Sequence, residues 1–483
     1  MLFNSLQFLL FFVVVTLAYF SLRWSGRWAL LLLASCYFYM VFKPVYILIL
    51  FGTIVIDYFA GIWIGQASGA RRKWLLALSI VTNVGILAIF KYYDFFAENF
   101  NAFSWKLHFG VTLPSLRAVF EDFVFPIGLS FHTFQAMSYT IEVYRGHQPV
   151  ERHFGIYALY VMFYPQLVAG PIERPQNVLH QFHENHPFDW ANVKDGLMQM
   201  AFGFFKKVVI ADRLSLMAGY AYEHPQDHNG LTLLVATFFY TFRIYCDFSG
   251  YSDIALGAAK VMGFKLMENF NTPYFSKSIS EFWGRWHISL STWFRDYLYI
   301  PLGGNRRGER RTYFNQMTVF LVSGLWHGAS WNFIIWGGLH GLYLVGAAWR
   351  DKWLKKFNLS LPKAAWYGYL QMLITFLLVM LTWVFFAVGD APHLTVGEEV
   401  RRSFFILKKI FTLSPFDPIQ SKLNSVEMGF CLFLIAFLWV KERYFLHIPT
   451  TKNSTFWAVF LLLVAANYFF GVFGTNQFIY FQF

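Results

Sequence analysis

His327 stands in Leu325-Trp326-His327-Gly328, within a thirty-two-residue stretch from Met317 to Ala348 whose only side chains that ionise near neutral pH are His327 and His340. His340 lies in Trp336-Gly337-Gly338-Leu339-His340-Gly341. Upstream, His287 lies in Phe282-Trp283-Gly284-Arg285-Trp286-His287-Ile288-Ser289-Leu290. A neutral imidazole can take a proton from a hydroxyl as that oxygen attacks a carbonyl. The oxyanion that forms needs donors, and an indole N–H, a backbone N–H or a second histidine can supply them. A lone histidine in an apolar stretch is more often a hydrogen-bonded structural residue. Two Trp-His pairs beside glycine-rich backbone favour the functional reading for His327.

The elements that must hold these side chains are membrane helices. Of 483 residues, 57% are hydrophobic, 22% aromatic and only 14% charged, against about 25% charged in soluble chains. That excludes a soluble enzyme, a disordered chain and a nucleic-acid-binding domain. The net charge of +12 fits basic cytoplasmic loops. Uncharged runs at 1–22, 28–42, 74–90, 154–172, 366–389 and 454–474, with nearly uncharged 44–70, 123–141, 231–250 and 428–440, predict about ten or more spans of roughly 20 residues each. The fold class is all-α: a polytopic integral membrane protein with broken or re-entrant helices around a central catalytic cavity. One domain is expected over 1–483, with N-terminal helices over 1–120, core motifs over 121–350 and C-terminal helices over 351–483. No basic region precedes Arg23, so the first run reads as a retained helix and not a cleaved signal.

Loop charges set the orientation. Arg23 and Arg27, then Arg71, Arg72 and Lys73, place the first and third loops in the cytoplasm and the N-terminus outside. Residues 260–311, with nine Lys/Arg against four acids, belong to the cytoplasmic face. The side of 398–409, with mixed charge, stays open. Met317–Ala348 is basic at both ends, which implies an even number of crossings. It therefore predicts a re-entrant hairpin broken at Ser323-Gly324, Gly328 and Gly337-Gly338, with His327 near mid-membrane.

Other residues have two readings each. Ser323, four residues before His327, is either an acyl-accepting nucleophile or a residue relieving backbone polarity at a break. His180, His183 and His186 beside Glu184 form a metal site or a solvated segment, and the solvated reading is favoured. Asp57 is expected to hydrogen-bond internally. Arg295-Asp296 is either an ion pair or a ligand clamp. Arg306, Arg307, Arg310 and Arg311 either attract the phosphates of a coenzyme or anchor topology. Cys36, Cys246 and Cys431 give neither a disulfide framework nor a zinc spacing, and no metal is expected.

Beyond the histidine stretches, several segments carry a pattern. They are Trp293-Phe294-Arg295-Asp296-Tyr297-Leu298-Tyr299-Ile300-Pro301-Leu302-Gly303-Gly304-Asn305, Phe125–Phe131, Val168–Pro175 and Tyr245–Asp253. Together with Phe282–Leu290 and Leu325–Gly341, this set resembles the bacterial membrane-bound O-acyltransferases, the MBOAT family. The Gly-Gly-Asn ending is similar to the subgroup that O-acetylates alginate, cellulose-like polymers or peptidoglycan, and less like the teichoic acid D-alanine transfer proteins. The resemblance implies that His327 is catalytic and that His287 is the second family position. It implies acyl transfer from a cytoplasmic thioester, acetyl-CoA, to hydroxyls of an extracytoplasmic polymer, directly or through a periplasmic SGNH-type partner, in the bacterial inner membrane. Arg295, Asp296, Asn305 and Arg306 are the candidate donor-binding residues. D-alanyl transfer and a transporter or flippase are the rival functions.

Overall fold

The computed structural model describes residues 1–116, 126–167, 170–390, 394–395, 397–445, 448, 450–473 and 478. Phe125, Val168 and Ala169 of the motifs above lie outside the described residues, as do the ends of several apolar runs. Among the described residues every regular element is helical. Among the described residues, five helices are long and apolar enough to cross a membrane: Pro44–Gln66, Gly69–Lys106, Gly230–Val261, Ala365–Gly389 and Asn453–Phe470. The expected count near ten is not matched by single long helices. An apolar run need not be one helix: the run from 154 is split into Phe154–Met162 and the four-residue Tyr164–Leu167.

The elements that matter for the site are numbered in chain order. They are α1 (Gly69–Leu87), α2 (Tyr93–Lys106), α3 (Leu129–Arg145), α4 (Trp190–Phe204), α5 (Asp212–Glu223), α6 (Gly230–Val261), α7 (Ile279–Arg285), α8 (Ile288–Phe294), α9 (Glu309–His327), α10 (Trp331–Lys356), α11 (Ala365–Gly389), α12 (Glu398–Phe411) and α13 (Ser425–Tyr444). Three π-helical turns interrupt this sequence: Ala88–Tyr92 between α1 and α2, Phe205–Ala211 between α4 and α5, and Arg295–Tyr299 after α8. Such turns recur at functional sites because the extra residue re-aims side chains.

The hairpin expected over Met317–Ala348 is present, as α9 and α10 packed together and turned at Gly328–Ser330. Its arms are longer than the apolar stretch and run out to basic ends, where Lys352 Nζ sits 2.5 Å from Glu309 Oε2. The helix is not broken at Ser323-Gly324 or at Gly337-Gly338. A Cβ on Gly324 would meet the Phe333 carbonyl oxygen at 2.2 Å, and one on Gly337 the Phe320 carbonyl oxygen at 2.2 Å. These glycines let two helix backbones touch; they do not end either helix.

α4 and α6 cross in the same manner, Gly196 against Gly257 and Gly203 against Gly250. Their interface encloses charge. Lys207 Nζ lies 2.8 Å from Asp212 Oδ1 and 2.6 Å from Asp247 Oδ1, and Lys206 Nζ lies 2.5 Å from Asp253 Oδ2. The Tyr245 hydroxyl donates to Glu442 Oε1 of α13 at 2.5 Å. Asp57 is buried and accepts from the Ser79 hydroxyl at 2.6 Å and from Asn83 Nδ2 at 2.8 Å, so it is hydrogen-bonded internally as expected.

Candidate active site

His327 is the last residue of α9 and is buried. Its ring stands edge-on to Trp326, Trp336 and Phe386 at 5.1, 5.0 and 5.3 Å between centroids. The buried indole N–H groups of Trp326 and Trp336 have no hydrogen-bond partner among the described residues. An imidazole flanked by two indole donors is an arrangement that could serve acyl transfer to a hydroxyl.

His287 and His340 complete a row of rings. His287 lies 6.4 Å from the Trp326 ring, and His340 lies 5.1 Å from the Trp336 ring. The order is therefore His287, Trp326, His327, Trp336, His340. His340 is held on both ring nitrogens. Trp283 Nε1–H donates to its Nδ1 at 3.3 Å. The Thr382 hydroxyl already donates to the Val379 carbonyl at 2.7 Å, so at 3.1 Å from Nε2 it accepts from His340. That assigns the proton of a neutral His340 to Nε2 by bonding logic.

His287 sits at φ 42°, ψ 55°, a left-handed conformation uncommon for a non-glycine residue, as the cap of α8. Asn269 makes the turn possible: its backbone carbonyl accepts from Ile288 N at 2.9 Å and its side-chain oxygen accepts from the Ser289 hydroxyl at 2.6 Å. The His287 Nδ1 lies 3.3 Å from the same oxygen. Such local strain is retained where surroundings over-determine it.

A cavity of about 340 Å³ opens beside this row, lined in part by Trp283, Thr292, Arg295, Tyr299, Phe320 and Ser323. His327 is not in its wall. Ser323, one helical turn earlier on the same face, is, so the cavity stops about one turn short of His327. Of the four candidate donor residues, only Arg295 lines the cavity. Its Nε donates to Asp296 Oδ1 at 2.8 Å, while Arg174 reaches the other carboxylate oxygen at 3.1 Å. Asp296 thus serves an ion-pair network. Asn305 and Arg306 are exposed on the turn after Pro301, away from the cavity wall. The turn is held instead through Asn315, whose Nδ2 donates to the Gly304 carbonyl at 2.9 Å.

The histidine series 180–186 does not converge. His183 Nε2 is 2.7 Å from Glu151, and His186 Nε2 is 2.8 Å from the Gln181 carbonyl. Among the described residues no group of three or more metal-ligating side chains forms.

Two residues at the site escape a reading of sequence alone. Lys91 Nζ donates to the backbone carbonyls of Trp326 and His327 at 2.7 and 3.0 Å, and the Tyr92 hydroxyl donates to the Leu325 carbonyl at 2.8 Å. Both come from the π-helical turn Ala88–Tyr92. Their only advance signal is a lysine closing a long apolar run.

Comparisons with known proteins show the family. The model of the membrane-bound O-acyltransferase family matches residues 59–388. The probable alginate O-acetylase AlgI of Pseudomonas aeruginosa is 41% identical over 410 residues, covering 84% of this chain and 75% of the relative. The peptidoglycan O-acetyltransferase of Helicobacter pylori is 37% identical over 420 residues, covering 80% and 77%. The teichoic acid D-alanyltransferase of Streptococcus thermophilus is 29% identical over 354 residues, covering 66% and 84%. With a family match over most of its length and a buried histidine set between two indoles, this multi-pass chain belongs to the membrane-bound O-acyltransferase family and is an O-acyltransferase.

Proposed function

We propose that the protein moves an acetyl group from acetyl-CoA, taken from the cytoplasm, to hydroxyls of an extracytoplasmic polysaccharide or peptidoglycan. The observation that carries the reading is His327, buried between two indole N–H groups one helical turn beyond a cavity with Arg295 in its wall. The cavity suits the narrow arm of a thioester donor, with Arg295 toward its anionic end. His327 takes the acceptor hydroxyl proton as the oxygen attacks the thioester carbonyl. Trp326 and Trp336 donate to the oxyanion. When the C–S bond breaks, the imidazolium returns its proton to the leaving sulfur. His287, held by Asn269, orients the acceptor side of the row. Burial keeps water from the donor.

The relatives named as O-acetylating enzymes are the more similar ones, which favours acetyl over D-alanyl transfer. The reading also places one integral domain over 1–483 in the bacterial inner membrane, with a periplasmic SGNH-type protein completing the transfer.

The orientation draws support from helix direction. Lys91 follows Lys73 by about 27 Å of helix rise, and His327 follows Arg311 by about 24 Å, at 1.5 Å per residue. Two helices that meet at Lys91 and His327 after similar rises start from the same face. Arg71–Lys73 and Arg310-Arg311 then share the cytoplasm, as the positive-inside rule asks.

The test is purified protein in nanodiscs with acetyl-CoA and a glycan oligosaccharide. Free coenzyme A thiol and acetylated sugar should appear together. No thiol at millimolar donor, from folded protein, would overturn the donor assignment and point to a protein-carried acyl group.

A further inference from the structure

We propose that Lys91 and Tyr92 are positioning residues that fix His327 by capping the end of the helix that carries it. The proposal rests on the reading of His327 as the base. The last carbonyls of a helix have no partner within it and carry the negative end of the helix dipole. At the end of α9 three of them point into protein, where an unsatisfied carbonyl would be costly. Leu325 is met by the Tyr92 hydroxyl, and Trp326 and His327 by one ammonium. A cation at a helix C-terminus adds charge complementarity to the hydrogen bonds.

The cap has to come from outside because the next residues cannot supply it. Gly328 is extended at φ −168°, ψ 158°, so the chain leaves the helix without folding back on it. The space over Gly328 is filled by the Phe333 ring, which a Cβ there would meet at 2.1 Å. The π-helical turn Ala88–Tyr92 brings two neighbouring side chains, Lys91 and Tyr92, onto three successive carbonyls. The Lys91 ammonium also lies 5.8 Å from the centre of the Trp326 ring. A cation over that face draws electron density from the indole, which makes its N–H a better donor to a developing oxyanion. One lysine therefore sets both the direction of the His327 ring and the strength of its neighbour.

The experiment compares Lys91→Met, Lys91→Arg and Tyr92→Phe in purified, folded protein by two measurements. The first is acetyl transfer. Lys91→Met should lose about 10–100-fold in kcat, by analogy with the outer-shell partners that orient metal ligands, with KM for acetyl-CoA near that of the unaltered protein. Lys91→Arg should recover most of the loss, and Tyr92→Phe should fall less than Lys91→Met. The second needs no transferase activity: carbethoxylation of His327 by diethyl pyrocarbonate, followed by peptide mass spectrometry. Lys91→Met should be modified several-fold faster at His327 and unchanged at His340, and Lys91→Arg should restore slow modification. Equal rates at His327 in the unaltered protein, Lys91→Met and Lys91→Arg would overturn the positioning role. A unaltered protein without transfer activity would count against the proposed function, and the modification rates would then decide the inference alone.

Discussion

His327 and His340 lean on the same indole ring, at 5.0 and 5.1 Å from the centre of Trp336, yet the two imidazoles are bonded in opposite ways. His340 spends one ring nitrogen on Trp283 and the other on Thr382. His327 is held through its backbone carbonyl, which accepts from Lys91 Nζ at 3.0 Å.

The two histidines should therefore fail differently. His327→Ala and His327→Gln should insert and accumulate near normal levels while acetylation falls by roughly 10²–10⁴, the usual worth of general acid–base catalysis. His340→Ala leaves Trp283 and Thr382 without their partner and should cost about 1–3 kcal/mol of stability, seen as a lowered thermal midpoint in detergent. Near-normal acetyl content with His327→Ala at equal abundance would refute the assignment, and Ser323 in the cavity wall would be tested next.

His287 should be sensitive to backbone as well as side chain. Asn tolerates left-handed backbone better than Ala. His287→Asn should thus accumulate more folded protein than His287→Ala, and both should transfer less acetyl than the parent. Equal yields for the two variants would show that the turn exerts no such demand.

The hairpin glycines give a steric prediction. Gly324→Ala or Gly337→Ala puts a methyl 2.2 Å from a facing carbonyl oxygen, and overpacking of this kind costs about 1–3 kcal/mol. Each variant should lower the melting temperature; Gly346→Ala, with open space around its Cβ, should not. A Gly324→Ala protein as stable as the parent would mean that the two helices are free to separate.

Sidedness can be read by cysteine labelling. The hairpin turn holds α12 directly: the Ser330 hydroxyl and the Trp331 N–H donate to the Glu399 carboxylate at 2.5 and 3.0 Å. α12 therefore lies at the end of the hairpin opposite Glu309 and Lys352. With residues 285–311 in the cytoplasm, a cysteine at Lys408 should react with an impermeant thiol reagent in intact cells, and one at Arg307 should not. The reverse pattern would invert the topology and the donor side with it.

What was legible in the residues follows from kinds of signal. A hairpin could be inferred because an apolar stretch with two basic ends must cross an even number of times. The glycines inside it misled, because the same residue serves to end a helix and to let two backbones touch, and sequence alone does not separate these uses. Lys91 was invisible because its contact spans 235 residues and because a π-helical turn has no composition of its own. Asn305 and Arg306 matched a motif whose local work is done by Asn315 holding the turn. Asp57 was readable because a lone carboxylate in an apolar helix has few alternatives to internal hydrogen bonds.

The charges enclosed between α4 and α6 bear on how the chain enters the bilayer. A lone Lys or Asp at the centre of a membrane helix costs about 2.5–3.5 kcal/mol to insert. Lys206 and Lys207 come first from the ribosome, and Asp247 and Asp253 follow some forty residues later. Lys207 already faces Asp212 of its own segment, whereas the ion pairs to Asp247 and Asp253 form once 230–261 packs against it. Packing of 190–223 against 230–261 thus completes the charge balance of the first segment, so a long insertion between the two should weaken its assembly in the membrane.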